Sequence, residues 1–163
     1  MQESPSTHSA YGGATTNQSL LHIVCPHCTA INRIPRSKDA RQAKCGACHK
    51  PLFTGKPANA DAKSFKRHIT RNDIPVVVDF WAPWCGPCRA MAPALERAAS
   101  ELEPDFRFLK LNTEAEPAIS AEYAIRSIPT LMMFAGGKSV AQIAGAMDTG
   151  GIVSWVRAHK PGR

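Results

Sequence analysis

A near-continuous apolar and β-branched run at residues 74–82 is the most strongly patterned segment of the chain. Such a run is typical of a central strand that is covered on both faces. Apolar residues recur at helical spacing after residue 88. The pattern beyond that helix predicts a strand at 106–111, a helix at about 116–124, a hairpin of strands at 130–134 and 139–144, and a final helix around 152–156.

This order of elements predicts an α/β fold in which a mixed sheet lies between helices. Residues 55–64 are predicted to be a linker or a weak edge strand, because they contain a proline and have little β propensity. Residues 1–20 have no Lys or Arg and no long apolar stretch, so we expect a disordered tail without a secretory signal. Residues 21–54 then form a small module, and residues 65–163 form the main domain.

The distribution of charged residues along the chain does not change this division into a tail, a module and a main domain. The 163 residues include 20 Lys and Arg against 13 Asp and Glu, which gives a net charge of +7. Residues 1–64 carry 8 basic and 3 acidic side chains, and residues 65–163 carry 12 and 10. Neither part has a basic run long enough to follow a phosphate backbone, and no apolar stretch reaches the roughly 18 to 20 residues of a membrane-spanning helix. We therefore expect neither a nucleic-acid partner nor a membrane segment.

Six cysteines fall in three pairs with one spacing, and the first two pairs predict a metal site. Cys25 and Cys28 are separated by 16 residues from Cys45 and Cys48, which is the pattern of a four-cysteine zinc site. Thiols of a cytosolic chain stay reduced, and a module with so few apolar residues needs a metal to fold. The alternatives are two unrelated thiol pairs or two disulfides. His27 and His49 lie beside the ligands and could replace a cysteine, but we expect them to be solvated neighbours.

The third pair, Cys85-Gly86-Pro87-Cys88, follows the predicted central strand and begins the predicted helix. Unpaired N–H groups and the helix dipole stabilise a thiolate at a helix N-terminus. Cys85 is therefore suited to attack a disulfide, and Cys88, one turn further in and less exposed, is suited to resolve the product. A third zinc half-site would need a partner pair, and none remains. The pair is predicted to be redox-active.

The run at residues 77–88 resembles the thioredoxin family, and the resemblance continues through residues 125–131 and 145–146. It covers roughly residues 65–163. The four-cysteine module before it resembles that of the zinc-containing bacterial members. The resemblance implies the thioredoxin fold with a small N-terminal zinc-ribbon-like module.

The resemblance also implies roles for several other residues. Asp79 matches the buried carboxylate that relays a proton to the resolving cysteine, and Lys110 matches the lysine near it. Pro129 matches the cis-proline of the family. Taken alone, Asp79 and Lys110 could also be ordinary strand residues that reach solvent, and Trp81 is expected only to pack. The expected substrate-binding residues are Trp84, Gly86, Pro87, Pro129 and Gly145.

These observations predict a general protein-disulfide reductase with one structural Zn²⁺. The sequence has no dinucleotide fingerprint, so we expect no bound nicotinamide or flavin. The resemblance implies disulfide-containing client proteins, recycling by an NADPH-dependent thioredoxin reductase, and a role in electron transport and redox homeostasis as a cytoplasmic monomer.

Two other functions are weighed against this one. The module could be a redox-sensing zinc holdase, or a binding zinc ribbon that uses its basic cluster. No aromatic residues are interleaved with that cluster, so a solvated loop is the simpler interpretation. The basic residues are Arg33, Arg36, Lys38, Arg41 and Lys44.

Overall fold

The computed structural model describes residues 19–162, which form a two-stranded and a five-stranded sheet with four α-helices. The strands are β1 (Leu20–Val24), β2 (Ile31–Pro35), β3 (Ala58–Ala60), β4 (Val76–Trp81), β5 (Arg107–Asn112), β6 (Thr130–Ala135) and β7 (Lys138–Ala144). The helices are α1 (Ala62–Arg71), α2 (Gly86–Leu102), α3 (Pro117–Glu122) and α4 (Thr149–Ala158).

The larger sheet has the order β3-β5-β4-β6-β7. Strand β4 lies at its centre, parallel to β5 and antiparallel to β6. Strands β6 and β7 form the predicted hairpin. The α/β fold with a mixed sheet is therefore confirmed.

Side chains that alternate along β4 face two different cores, as the two-residue period of a strand requires. Val77 packs with residues of α2 and α4 on one face of the sheet. Val78 and Phe80 pack with residues of α1 and α3 on the other face. Both faces are thus covered, which explains why the segment reads as a continuous apolar run. Asp79 lies on the same face as Val77, toward α2.

The segment between the two modules contains regular structure. Ala58–Ala60 forms a three-residue edge strand parallel to β5, so the edge-strand alternative for this segment is the one observed. Asp61 caps helix α1 in a capping box: its side chain accepts a hydrogen bond from the backbone N–H of Ser64, and its own backbone N–H donates to the Ser64 hydroxyl oxygen. Because α1 begins at Ala62, the domain boundary that the sequence suggested at residue 65 falls inside this helix.

Strands β1 and β2 form the antiparallel hairpin of the N-terminal module. Its small core of apolar and cysteine side chains also includes Ile74, which is separated from the first residue of strand β4 only by Pro75. At the edge of this core, Asp73 accepts a hydrogen bond from the backbone N–H of His22 at 2.7 Å. The module therefore packs against the amino end of β4.

Arg107 is a buried polar link between the module and the larger sheet. Its side chain is 1% exposed and donates hydrogen bonds to the carbonyl oxygens of Val24 at 3.2 Å and Leu52 at 2.8 Å. Its guanidinium lies 4.4 Å from the centroid of the Phe53 ring. The sequence suggested two separable units joined by a linker, and gave no sign of this buried contact.

Two expectations concern the chain as a whole. The predicted tail at residues 1–20 falls outside the described residues except for its last two, and strand β1 already begins at Leu20. Within residues 19–162, no helix is both long enough and apolar enough to cross a membrane.

Candidate redox and metal sites

The Cys85–Cys88 pair lies where β4 passes into helix α2, and the two cysteines form a disulfide. Cys85 is the N-cap of α2, and its Sγ accepts a hydrogen bond from the backbone N–H of Cys88 at 3.2 Å. Gly86 and Pro87 begin the helix, where proline is well tolerated because the first N–H groups have no helical partner. The first turn of α2 therefore offers a hydrogen-bond donor to a Cys85 thiolate.

The two cysteines of the redox pair differ little in exposure. Cys85 is 3% exposed and Cys88 is 2% exposed, so both are buried in the disulfide form. The sequence predicted that Cys88 would be less exposed than Cys85, and in the disulfide form this difference is small. Trp84, which directly precedes Cys85, is 65% exposed and is the most exposed large apolar side chain among the described residues.

The proline loop packs beside this pair. The peptide bond between Ile128 and Pro129 is cis, as the family resemblance implied. The carbonyl oxygen of Ile128 lies 3.8 Å from Cys85 Sγ. Gly145 donates its N–H to the carbonyl oxygen of Pro129 at 2.9 Å, and its φ of +103° favours glycine. Ile128, to which no role was assigned from the sequence, thus packs against the redox pair.

Asp79 is buried on β4, with 1% of its surface exposed. Its Oδ1 atom has no hydrogen-bond partner. Burial raises the pKa of Asp79 to about 7, and the positive charge of Lys110 opposes part of this rise. A carboxyl group with this pKa is partly protonated near neutral pH, so it can both accept and donate a proton there.

Lys110 lies directly opposite Asp79 in the parallel pairing of β4 and β5. Its ammonium is placed over an aromatic ring: Lys110 Nζ lies 4.3 Å from the centroid of Trp81. Among the ion pairs within 4.0 Å that residues 19–162 form, none joins these two charged groups. The structure therefore brings Asp79 and Lys110 together without direct contact between their charges.

The four remaining cysteines converge in the N-terminal module. Their Sγ atoms all lie within 4.8 Å of one another. Cys25 Sγ is 3.6 Å from Cys48 Sγ, and Cys28 Sγ is 3.6 Å from Cys45 Sγ. Sulfurs bound tetrahedrally to one zinc ion at about 2.3 Å would be about 3.8 Å apart. The donor set and its spacing therefore fit a zinc ion.

The first cysteine of each pair accepts hydrogen bonds from backbone N–H groups of the tight turn that follows it. Cys25 Sγ accepts hydrogen bonds from the N–H groups of His27 and Cys28, and Cys45 Sγ accepts one from Ala47. Such donors stabilise thiolates, the form of cysteine that binds a metal. The side chains of His27 and His49 are exposed, and neither belongs to the metal-ligand cluster found among the described residues.

Comparison with protein families agrees with both sites. The model of the Thioredoxin family matches residues 56–158, which is more than half of the chain. The chain belongs to the thioredoxin family. It is therefore a disulfide oxidoreductase, and the Cys85–Cys88 dithiol lies in its thioredoxin domain. A second model, described as Thioredoxin 2, N-terminal, matches residues 24–50 and so includes all four metal-site cysteines.

Individual relatives support the same assignment. Thioredoxin C-3 of Corynebacterium nephridii is 41% identical over 134 residues, which cover 82% of this chain and 92% of that protein. Thioredoxin of Porphyra purpurea is 52% identical over 84 residues, which cover 52% of this chain and 78% of the relative. Among solved structures, a mutant thioredoxin from Halobacterium salinarum aligns with a TM-score of 0.60 and 26% identity, covering 68% of this thioredoxin and 96% of the other chain.

Proposed function

We propose that this thioredoxin is a general reductase of protein disulfides, with Cys85 as the attacking sulfur and Cys88 as the resolving sulfur. The observation that carries the proposal is the hydrogen bond from the Cys88 N–H to Cys85 Sγ at the start of α2. This donor stabilises negative charge on Cys85 and none on Cys88. The two sulfurs also form a disulfide with each other, and this is the oxidised form in which the enzyme must end after it reduces a client.

In this mechanism the Cys85 thiolate attacks one sulfur of a client disulfide, and the other client sulfur leaves as a thiolate that takes a proton from solvent. The Cys88 thiol then transfers its proton to the Asp79 carboxylate and attacks Cys85 Sγ. The second client sulfur leaves as a thiolate and takes a proton from solvent, and Asp79 later releases the Cys88 proton to solvent. The client gains two electrons and two protons, and the enzyme is left with the Cys85–Cys88 disulfide.

The proposed role of Asp79 rests on its burial and on its pKa of about 7. A base whose pKa lies near the working pH is partly available as a carboxylate and still able to hold the proton it receives. The positive charge of Lys110 favours the carboxylate form of Asp79.

The client segment beside its disulfide is proposed to lie on the surface around Cys85. Trp84, Gly86, Pro87 and Gly145 are exposed there, while Pro129 is buried and shapes the loop behind them. We further propose that an NADPH-dependent thioredoxin reductase returns the disulfide to the dithiol, and that the protein acts as a monomer in the cytoplasm without a bound nicotinamide or flavin of its own.

A trapping experiment tests the roles of the two sulfurs. With insulin as client and dithiothreitol as electron donor, the unmodified chain should reduce insulin disulfides. The Cys88→Ser variant should accumulate a mixed disulfide between Cys85 and insulin, because resolution is blocked. Cys85→Ser is the matched control and should form no adduct. Equal trapping by both variants, measured by mass spectrometry, would reverse or remove the assigned roles.

We also propose that the module holds one structural zinc ion through Cys25, Cys28, Cys45 and Cys48. Zinc would supply four bonds that tie the two knuckles together, and would favour the thiolate form of all four ligands. The apolar core of the module is small, so this metal is expected to contribute much of its stability.

Metal analysis tests this second proposal. The purified chain should contain one zinc ion, and Cys45→Ser should lower the zinc content several-fold, because a buried ligand is lost. Substitution of His49 by Ser, an exposed neighbour outside the ligand cluster, is the control and should leave the zinc content unchanged. A full complement of zinc in Cys45→Ser would rule out the four-cysteine site.

A further inference from the structure

Trp81 contacts both the redox pair and Lys110, the residue that lies opposite Asp79 on strand β5. The side chain is partly buried at the end of β4, and packs against the small cluster formed by Ala82, Cys85 and Cys88. The centroid of its ring lies 4.3 Å from Lys110 Nζ. An ammonium at this distance from an indole face is held by the negative charge density of the ring.

The position of Lys110 is not explained by its strand register alone. Asp79 and Lys110 are cross-strand neighbours on one face of the sheet, and an isolated buried carboxylate attracts a nearby ammonium strongly. Yet no ion pair joins the two side chains, and Asp79 Oδ1 has no partner. The Trp81 ring is the group that the Lys110 ammonium contacts instead.

We propose that Trp81 is a positioning residue for thiol–disulfide exchange: its ring holds the Lys110 ammonium away from the Asp79 carboxyl, so that this carboxyl keeps its affinity for the Cys88 proton. The inference rests on the proposed function, in which Asp79 accepts that proton. It gives Trp81 a role beyond the packing that the sequence suggested.

A direct ion pair would change the chemistry of Asp79. An opposite charge in contact with a carboxylate favours the ionised form and lowers its pKa. A carboxylate with a lowered pKa binds the thiol proton less well, so resolution by Cys88 would slow near neutral pH. With the ammonium held on the ring, its charge acts on Asp79 from a greater distance.

Among residues 19–162, Lys110 is the one charged side chain whose field shifts the pKa of Asp79. On the neighbouring strand β6, Leu131 lies opposite Asp79. Helix α2 contributes Cys88 and apolar residues to this side of the sheet, and the side chains that α4 buries are apolar. Lys110 is the charged group whose field acts on the pKa of Asp79.

The test measures the Asp79 carboxyl directly in the full zinc-bound chain, in its disulfide form, by ¹³C NMR titration. Trp81→Leu should lower the titration midpoint by on the order of one pH unit, because the freed ammonium can pair with the carboxylate. Trp81→Phe keeps an aromatic face and should retain most of the original midpoint. Trp81→Met should lower the midpoint in the same way as Trp81→Leu. Its longer side chain fills more of the space of the indole ring, so this variant can be measured if Trp81→Leu does not fold.

A double-mutant cycle separates positioning from simple packing. In a Lys110→Met background, Trp81→Leu should leave the midpoint unchanged, because no ammonium remains to be repositioned. An equal decrease in both backgrounds would mean that Trp81 acts by excluding water, and would overturn the proposal. An unchanged midpoint in Trp81→Leu and Trp81→Met would also overturn it.

The proposed function is tested separately on the same proteins. If the unmodified chain failed to reduce insulin, the reductase assignment would fail, although the NMR coupling between Trp81, Lys110 and Asp79 could still be present. If insulin is reduced, Trp81→Leu should slow release of a mixed disulfide more at pH 7 than at pH 9. At pH 9 a larger fraction of the Cys88 thiol loses its proton directly to solvent, so resolution depends less on Asp79 as a proton acceptor.

Discussion

Substitution of Arg107 by Met is expected to lower the free energy of unfolding by about 3 to 5 kcal/mol. The guanidinium is buried, donates to the carbonyl oxygens of Val24 and Leu52, and lies over the Phe53 ring. Glu103 lies 4.0 Å away and is also buried, so its carboxylate would lose its compensating charge. Methionine fills much of the space but replaces none of these polar contacts, so the junction between module and sheet should weaken first.

Urea unfolding of the zinc-bound chain measures this effect. The matched control is Arg157→Met, because Arg157 also pairs with a glutamate, Glu101, at 3.5 Å but is 62% exposed. An exposed pair contributes little, so the control should change stability by less than about 1 kcal/mol. The double variant Arg107→Met with Glu103→Gln should recover part of the loss, because the unpaired buried charge is gone. Equal effects of Arg107→Met and Arg157→Met would contradict the importance of the buried junction.

Substitution of Asp79 by Asn is expected to raise the free energy of unfolding at pH 8 by about 4 kcal/mol. In the folded chain the pKa of Asp79 is raised to about 7, and in the unfolded chain it lies near its ordinary value of about 3.9. Between these values the folded state binds more protons, so the stability of the unmodified chain falls as the pH rises. Asparagine cannot ionise and avoids this loss. Its advantage should be fully present above pH 7 and should disappear below about pH 4.

Urea unfolding of the disulfide form at pH 4, 6 and 8 gives the comparison. The same variant should release a mixed disulfide more slowly than it forms one, because the proton acceptor for Cys88 is missing. Greater stability together with slower resolution would identify Asp79 as a residue kept for function at the expense of stability. A pH-independent stability difference, or equal slowing of attack and resolution, would argue for a purely structural aspartate.

The sequence predicted much of the larger sheet because the two faces of β4 are covered by helices, and this leaves a continuous apolar signature. It also predicted both cysteine sites, since paired cysteines at fixed spacing can serve few chemical purposes. Strand β3 was recognised only as an alternative. Its sequence, Ala58-Asn59-Ala60, has no local strand preference, and the strand exists because β5 offers it an unpaired edge.

The contacts that the sequence did not reveal are those between residues far apart in the chain. Arg107 reaches the backbone of residues 83 and 55 positions away, and neither carbonyl group has a sequence signature. The approach of Lys110 to Trp81 likewise depends on two strands being parallel and in one particular register. Side-chain partners of this kind follow from tertiary packing, so patterns along one segment carry no information about them.

The central strand has the metal module at one end and the redox pair at the other. Ile74 belongs to the core that contains Cys25 and Cys45, whereas Ala82 packs with Cys85 and Cys88. An extended segment of this length spans more than about 20 Å. Exchange between sulfurs requires direct attack of one on another. The four thiols of the N-terminal module therefore cannot reach the redox disulfide of the same folded molecule, so a disulfide that oxidises these thiols must come from another molecule.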